Sequence, residues 1–100
     1  MESYHKLVRD KIPEILDEKG VPYEQTIASD EQFRDELVKK LQEEINEFME
    51  AGDIGELADV LEVVDALKKL PEYANVLEIQ RQKREDRGGF DKRFILKGKK

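Results

Sequence analysis

The sequence predicts an all-α fold, four helices in one domain over residues 1–100, completed by dimerisation and flanked by short extended N- and C-terminal segments. Three observations lead there. Apolar residues recur at helical spacing, as in Phe33, Leu37, Leu41, Ile45 and Phe48. Helix-ending or helix-starting residues punctuate the chain at Gly20, Gly52, Pro71 and Gly88-Gly89. Charged residues make up 42% and hydrophobic residues 38%, a balance that suits a small helical protein with a large solvated surface.

The elements follow in order. A first helix is expected over Asp10–Lys19, with Asp10 as N-cap, Pro13 in the first turn and Gly20 ending it. Residues 21–28 read as an extended connector with a short strand around Tyr23–Ile27. Ser29 and Gln32 form an S-x-x-Q capping box. The second helix then runs to Glu50, and Gly52 suits the left-handed position at its end. A third helix starts near Asp53 and reaches Lys69, with Asp53 and Glu56 as a capping pair. Pro71 opens a fourth helix that continues to Arg87, and Gly88-Gly89 stops it. Phe90–Leu96 is an extended or irregular tail, with Phe90 as its expected anchor into the core and base stacking as its alternative. No internal repeat or domain linker divides the chain.

In the third helix Leu57, Val60, Leu61, Val63, Val64, Ala66, Leu67 and Leu70 cover most of the circumference. One chain of 100 residues has little with which to cover such a helix, so a homodimer or higher homo-oligomer is expected. The absence of cysteine excludes disulfides, thiolate catalysis and thiolate metal sites. No apolar run approaches membrane-spanning length and no signal-peptide pattern opens the chain, so a soluble, cytoplasmic protein without a membrane partner is expected. The net charge of -6 is unevenly spread. Residues 1–80 carry 9 basic and 21 acidic side chains, and residues 81–100 carry 9 basic and 3 acidic. The tail is thus positive by six charges, fit to meet a phosphate-bearing ligand or to remain a solvated basic end, as Lys97, Lys99 and Lys100 are read.

The chemistry concentrates in Glu44 and Glu47, followed by Glu56 and Asp59. These pairs sit in mirror positions about Ala51–Gly52, so a helical hairpin there would set Glu47 level with Glu56 and Glu44 level with Asp59. Placed at about 100° per residue, Glu44 falls inside the apolar arc of its helix and Glu47 just beyond its edge. Glu56 falls among Val60, Val63 and Leu67, and Asp59 beside Ala66 and Leu70. Four carboxylates on apolar faces call for a compensating divalent cation, and a set of hard oxygens suits Mg²⁺. The competing reading is a solvated acidic face, since acidic residues number 24 and E-x-x-E patterns then arise readily.

Glu43-Glu44-x-x-Glu47 with Glu56-Leu57-Ala58-Asp59 resembles the E-x-x-E…E-x-x-D signature of the all-α nucleoside triphosphate pyrophosphohydrolases, which include MazG proteins, dimeric dUTPases and phosphoribosyl-ATP pyrophosphohydrolase. Lys6-Leu7-Val8-Arg9-Asp10-Lys11-Ile12-Pro13-Glu14-Ile15 resembles the opening of the small phosphoribosyl-ATP pyrophosphohydrolase-like branch, and Lys83-x-x-x-Arg87-Gly88-Gly89-Phe90 its closing motif. The resemblance spans nearly the whole chain. Only eight residues separate Glu47 from Glu56, fewer than is usual in MazG motifs, and this reads as a trimmed loop.

The resemblance implies a MazG-like four-helix bundle that hydrolyses a nucleoside triphosphate to the monophosphate and pyrophosphate, with a role in nucleotide-pool house-cleaning. It implies Glu44, Glu47, Glu56 and Asp59 as ligands for more than one Mg²⁺ ion, with Mn²⁺ able to substitute. Glu43 or Glu44 would be the general base, and the sequence does not choose between them. Lys83 and Arg87, one helical turn apart, would bind substrate phosphates, as would Arg9 and Lys11. The alternatives are charge complementarity at a helix C-terminus for Lys83 and Arg87, and ion pairing for Arg9 and Lys11. Asp65 reads equally as an aid to substrate or metal and as one half of a dimer-interface ion pair. His5, the single histidine, is expected to be an ordinary surface or edge residue.

Other classes of function remain open to test. A non-catalytic acidic helical interaction or regulatory protein would tolerate loss of Glu44 or Asp59. Nucleic-acid binding is not expected, because the basic tail offers only Phe90 and Phe94 as aromatics and no recognition motif. A di-iron carboxylate bundle lacks its E-x-x-H pairs.

Overall fold

The computed structural model describes residues 5–99. Their regular structure is α1 (Ile12–Lys19), α2 (Asp30–Ala51), α3 (Ile54–Lys68), a 3₁₀ turn at Pro71–Tyr73, and α4 (Val76–Arg87). The described residues contain no strand. The short strand expected around Tyr23–Ile27 is therefore absent, because no neighbouring segment offers its backbone a ladder.

The ends of α1 and α2 follow local chemistry. Lys11, not Asp10, occupies the N-cap position of α1, and no side chain caps it. A turn in which the Ile12 N–H donates to the Arg9 carbonyl (3.1 Å) leads in and moves Asp10 one residue too early to cap. At Gly20 (φ 70°) the chain turns left-handed, and Gly20 and Val21 N–H groups satisfy the Asp17 and Leu16 carbonyls. Ser29 caps α2 as expected, its hydroxyl accepting from the Gln32 N–H at 3.2 Å.

The connection between α2 and α3 is the feature that positions the site. Gly52 takes φ 66°, ψ 17° and donates its N–H to the Phe48 carbonyl at 2.7 Å. A Cβ there would touch nothing within 4 Å, so glycine is favoured by backbone conformation rather than by crowding. Asp53 follows immediately in an extended conformation and accepts from the Glu56 N–H at 2.8 Å. Two residues thus end one helix and start the next, and α2 and α3 fold into an antiparallel hairpin.

This hairpin is the only extensively packed helix pair among the described residues. Its seam holds Leu37 and Val63, the two buried hydrophobic residues. Phe33, Leu41, Ile45 and Phe48 of α2 and Val60, Val64 and Leu67 of α3 are half-buried around them. Ile54, Leu57 and Leu61 remain exposed, so the outer stripe of α3 has no cover within the chain.

Beyond α3 the fourth helix is shorter than the sequence suggests. Pro71 starts a single 3₁₀ turn, the chain breaks at Ala74–Asn75, and α4 begins only at Val76 without a capping side chain. Every residue from 71 to 99 is exposed, and α4 does not pack extensively on either hairpin helix. Phe90 is 96% exposed and anchors nothing within its own chain, contrary to the expectation of a core anchor. The four helices therefore do not close into a bundle within one chain. The molecule spans 55 × 32 × 24 Å, with a radius of gyration of 17.9 Å. A compact chain of this length would have about 13 Å.

Candidate metal centre

The hairpin brings together carboxylates from both of its helices. Glu44 of α2 and Glu56 and Asp59 of α3 place one carboxylate oxygen each within 4.8 Å of one another. The level pairing of Glu44 with Asp59 about Gly52 is thus realised. Glu47 does not join this trio; it lies on the exposed side of α2, beside Glu44. The mirror count fixes height along the hairpin but not rotation about the axis, and Glu47 sat at the edge of the apolar arc.

Burial distinguishes these groups. Glu44 is 7% exposed, the single buried charged residue among those described, while Glu56 and Asp59 are half-buried. One oxygen of Glu44 meets the Lys40 ammonium at 3.4 Å. The other, Oε2, is buried without a hydrogen-bond partner, and so is Oε2 of Glu56. Leaving a buried acceptor unsatisfied costs about 1–3 kcal/mol, and more when it is charged. Burial raises the Glu44 pKa above the ordinary glutamate range, the nearby Glu47 charge adds to this, and Lys40 partly offsets both.

Glu43 occupies a different setting one residue away. Burial alone would raise its pKa, but hydrogen bonds and charge from Lys6 and Lys40 outweigh that and hold it low. Lys6 Nζ lies 3.3 Å from Glu43 Oε1, and Lys40 Nζ lies 3.5 Å from Oε2. The two candidate bases are thus driven apart by their surroundings: Glu44 holds a proton more readily and Glu43 less.

Two cations already border the cluster. Arg9 donates from Nη2 to Asp59 Oδ1 at 2.7 Å, which brings the segment before α1 against α3. Both side chains are about half exposed, so this pair contributes at most about 1 kcal/mol. Lys40 is the other, a neighbour of both Glu43 and Glu44 that the motifs do not include. Its spacing, three residues before Glu43 and four before Glu44, was the available signal. Lys11 is exposed and forms no ion pair with another described residue.

The donor set fits a hard divalent cation. Mg²⁺ holds oxygens at about 2.0–2.1 Å, so its ligands lie at most about 4.2 Å apart, and Ca²⁺ tolerates somewhat more. Adjacent oxygens of an octahedral Mg²⁺ lie about 2.9 Å apart, so a trio within 4.8 Å of one another must draw in by up to about 2 Å to share one ion. Two unpartnered carboxylate oxygens are the groups such an ion would satisfy.

The remaining expected residues lie elsewhere. Lys83 and Arg87 stand on exposed α4 and pair with none of the cluster carboxylates. Asp65 is bound to Lys68 within its own helix at 3.2 Å, outside the cluster. His5 is exposed, as are Lys97 and Lys99; Lys100 lies outside the described residues. Two surface cavities are found away from the carboxylates. One, of about 460 Å³, lies between the end of α3 and the start of α4, lined by Asp65, Lys69 and Leu77 among others. The other, of about 340 Å³, is formed by the tail around Phe90 and Phe94. Neither is lined by Glu44, Glu56 or Asp59. No helix among the described residues is long and apolar enough to cross a membrane. No family model, curated protein or solved structure matches the chain.

Proposed function

We propose that the chain is a Mg²⁺-dependent nucleotide pyrophosphohydrolase of the MazG-like, all-α kind, cleaving a nucleoside triphosphate to the monophosphate and pyrophosphate. The observation that carries this reading is the meeting of Glu44, Glu56 and Asp59 across the hairpin, with a buried, unpartnered oxygen on each of the two glutamates. Its support beyond that is the resemblance of three motifs in order along the sequence.

Glu44, Glu56 and Asp59 would hold the ion, with Glu47 alongside Glu44 as a further ligand. Bound there, the ion supplies charge neutralisation at the phosphates and lowers the pKa of a bound water. Glu43 and Glu44 are both candidates for the base: without an ion, burial raises the Glu44 pKa while Lys6 and Lys40 hold that of Glu43 low, and an ion on Glu44 would lower it too. Glu43 would also fix those two ammonium groups beside the site. Arg9, paired with Asp59, would turn its guanidinium toward substrate phosphates. Lys83, Arg87 and Lys11 belong to the same role. The working form would be a homodimer or larger homo-oligomer, because one chain leaves the outer face of α3 and the whole of α4 uncovered.

Pyrophosphate release from a panel of canonical and modified nucleoside triphosphates, with Mg²⁺ and with chelator, tests the proposal. Turnover that needs Mg²⁺ and falls at least 100-fold in Glu56→Gln is the expected result. Absence of turnover across the panel would sink it.

A second reading has its own observation. Lys40 and Arg9 already neutralise part of the cluster, as in an acidic interaction surface with internal ion pairs. That reading expects neither Mg²⁺ binding nor turnover, so the same experiment separates the two.

A further inference from the structure

The C-terminal quarter of the chain is unsatisfied in two ways at once. From residue 71 to residue 99 nothing is buried, and Phe90, Phe94, Ile95 and Leu96 are 96%, 78%, 95% and 93% exposed. Val76, Leu77 and Ile79 extend this apolar surface along α4. The same segment is basic: residues 76–100 carry 9 basic and 4 acidic side chains. Arg81 is occupied by Glu78 and Glu85 of its own helix. Lys83, Arg84, Arg87, Lys92 and Arg93 form no ion pair with another described residue.

The hairpin has the opposite surplus. Residues 30–69 carry 13 acidic and 5 basic side chains, and beside them Val38, Met49, Ile54, Leu57 and Leu61 are exposed. One surface is apolar and positive, the other apolar and negative, and within the chain they do not pack extensively on each other.

We infer that the basic C-terminal segment of one copy, α4 with residues 88–96, seats on the acidic α2–α3 hairpin of a second copy. There it brings Lys83 and Arg87 to that copy's carboxylate site. The delivery to a phosphate-binding site rests on the hydrolase reading above; the docking itself does not.

Area supports this occupant. The chain exposes 9648 Å², whereas a compact monomer of 11.7 kDa exposes about 5,900 Å². The surplus of about 3,800 Å² exceeds the roughly 1,000–2,500 Å² per subunit that obligate homodimers bury. Reciprocity supports it too. An anionic membrane or a nucleic acid would take the basic segment but would be repelled by the hairpin, which would stay uncovered. A second copy covers both surfaces, and a two-fold pair uses each of them twice. The charge left over at the cluster is the third support: Lys40 and Arg9 each meet one of its carboxylates, and Oε2 of Glu44 and of Glu56 stays without a partner.

Two measurements decide it, and neither depends on catalysis. Sedimentation of the full chain should give a dimer or larger species at micromolar concentration, weakened at least tenfold between about 50 and 500 mM salt. Phe94→Ser/Ile95→Ser/Leu96→Ser should weaken association at least 100-fold while helical circular dichroism is retained, since these side chains serve no fold within the chain. Lys92→Glu/Arg93→Glu should weaken association in the same direction. A monomeric wild type, or an oligomer that both variants leave intact, overturns the docking. The delivery is read by cross-linking, because the chain has no thiol of its own. Copies carrying Glu47→Cys, mixed with copies carrying Arg87→Cys, should link to each other through a short thiol-to-thiol reagent. Links formed only within a single chain of the double variant, or none at all, overturn it. If these results hold while no triphosphate is hydrolysed, the hydrolase reading falls and the assembly stands.

Discussion

Glu44 and its neighbour Glu43 differ in charge setting more than in position, and that difference is measurable. Glu44 has a raised pKa, chiefly through burial, so the native state holds its proton more tightly than the unfolded chain does. Its contribution to stability is full below the ordinary glutamate range and is lost as pH rises through the higher, folded-state value. Glu43 runs the other way: its stabilisation is present above that range and is lost as pH falls through its lowered value. Urea unfolding between pH 4 and 7 should therefore lose the downward trend with rising pH in Glu44→Gln and keep it in Glu43→Gln. An unchanged profile in Glu44→Gln would show that its burial has no electrostatic cost. Mg²⁺ at ten times its Kd should add about 1.4 kcal/mol to the wild type, several degrees in Tm, and nothing to Glu44→Gln. Lys40→Met should act oppositely. It removes the cation facing buried Glu44, lowering metal-free stability by about 1–3 kcal/mol and enlarging the Mg²⁺-dependent rise in Tm. The buried place of Glu44 was legible from its angle within the apolar arc. The exposure of Glu47 was legible too, from its place just beyond that arc, but its standing beside Glu44 and outside the trio was not, because the rotation of the helix is set by the partner helix.

At the scale of the element, the α2–α3 turn carries the site and most of the specificity of the fold. Gly52 is held at φ 66°, where an L side chain is strained, so Gly52→Ala should destabilise by about 1–2 kcal/mol. Asp53→Ala removes the cap on Glu56 N–H and should cost about 1 kcal/mol. Equilibrium unfolding of each variant checks both, and a loss below about 0.3 kcal/mol in either would mean that the turn is set by packing instead. These caps were readable because capping is local: a side chain meets a backbone group three residues on. The start of α1 was misread for the complementary reason. Asp10 had the right chemistry, but a turn placed it one residue before the cap. Pro71 announced a helix start yet could not reveal that the first turn would be 3₁₀ and would stop at Ala74–Asn75.

The whole molecule leaves much apolar surface exposed. If its exposed apolar side chains and its split of charge are covered by a second copy, as proposed above, its stability should depend on concentration. Raising the protein from about 1 to 100 µM should lift Tm by several degrees, whereas a flat response would make the isolated chain the stable unit. The helix content was legible in the sequence, because periodicity reports which face of a helix is apolar. The splayed arrangement was not, because periodicity does not report what covers that face, and within this chain much of it stays exposed.

The two-residue connection at Gly52 and Asp53 has a kinetic meaning as well. Glu44 and Asp59 are separated by only fourteen intervening residues, so the contacts that gather the carboxylates need almost no loop closure. Low contact order makes such a hairpin form early and quickly, ahead of any docking of the C-terminal segment. Amide hydrogen exchange should accordingly be slowest along the α2–α3 seam around Leu37 and Val63 and fast throughout α4 in dilute protein. The carboxylate hairpin would then be a folding nucleus in its own right, ready while the rest of the chain is still searching for its place.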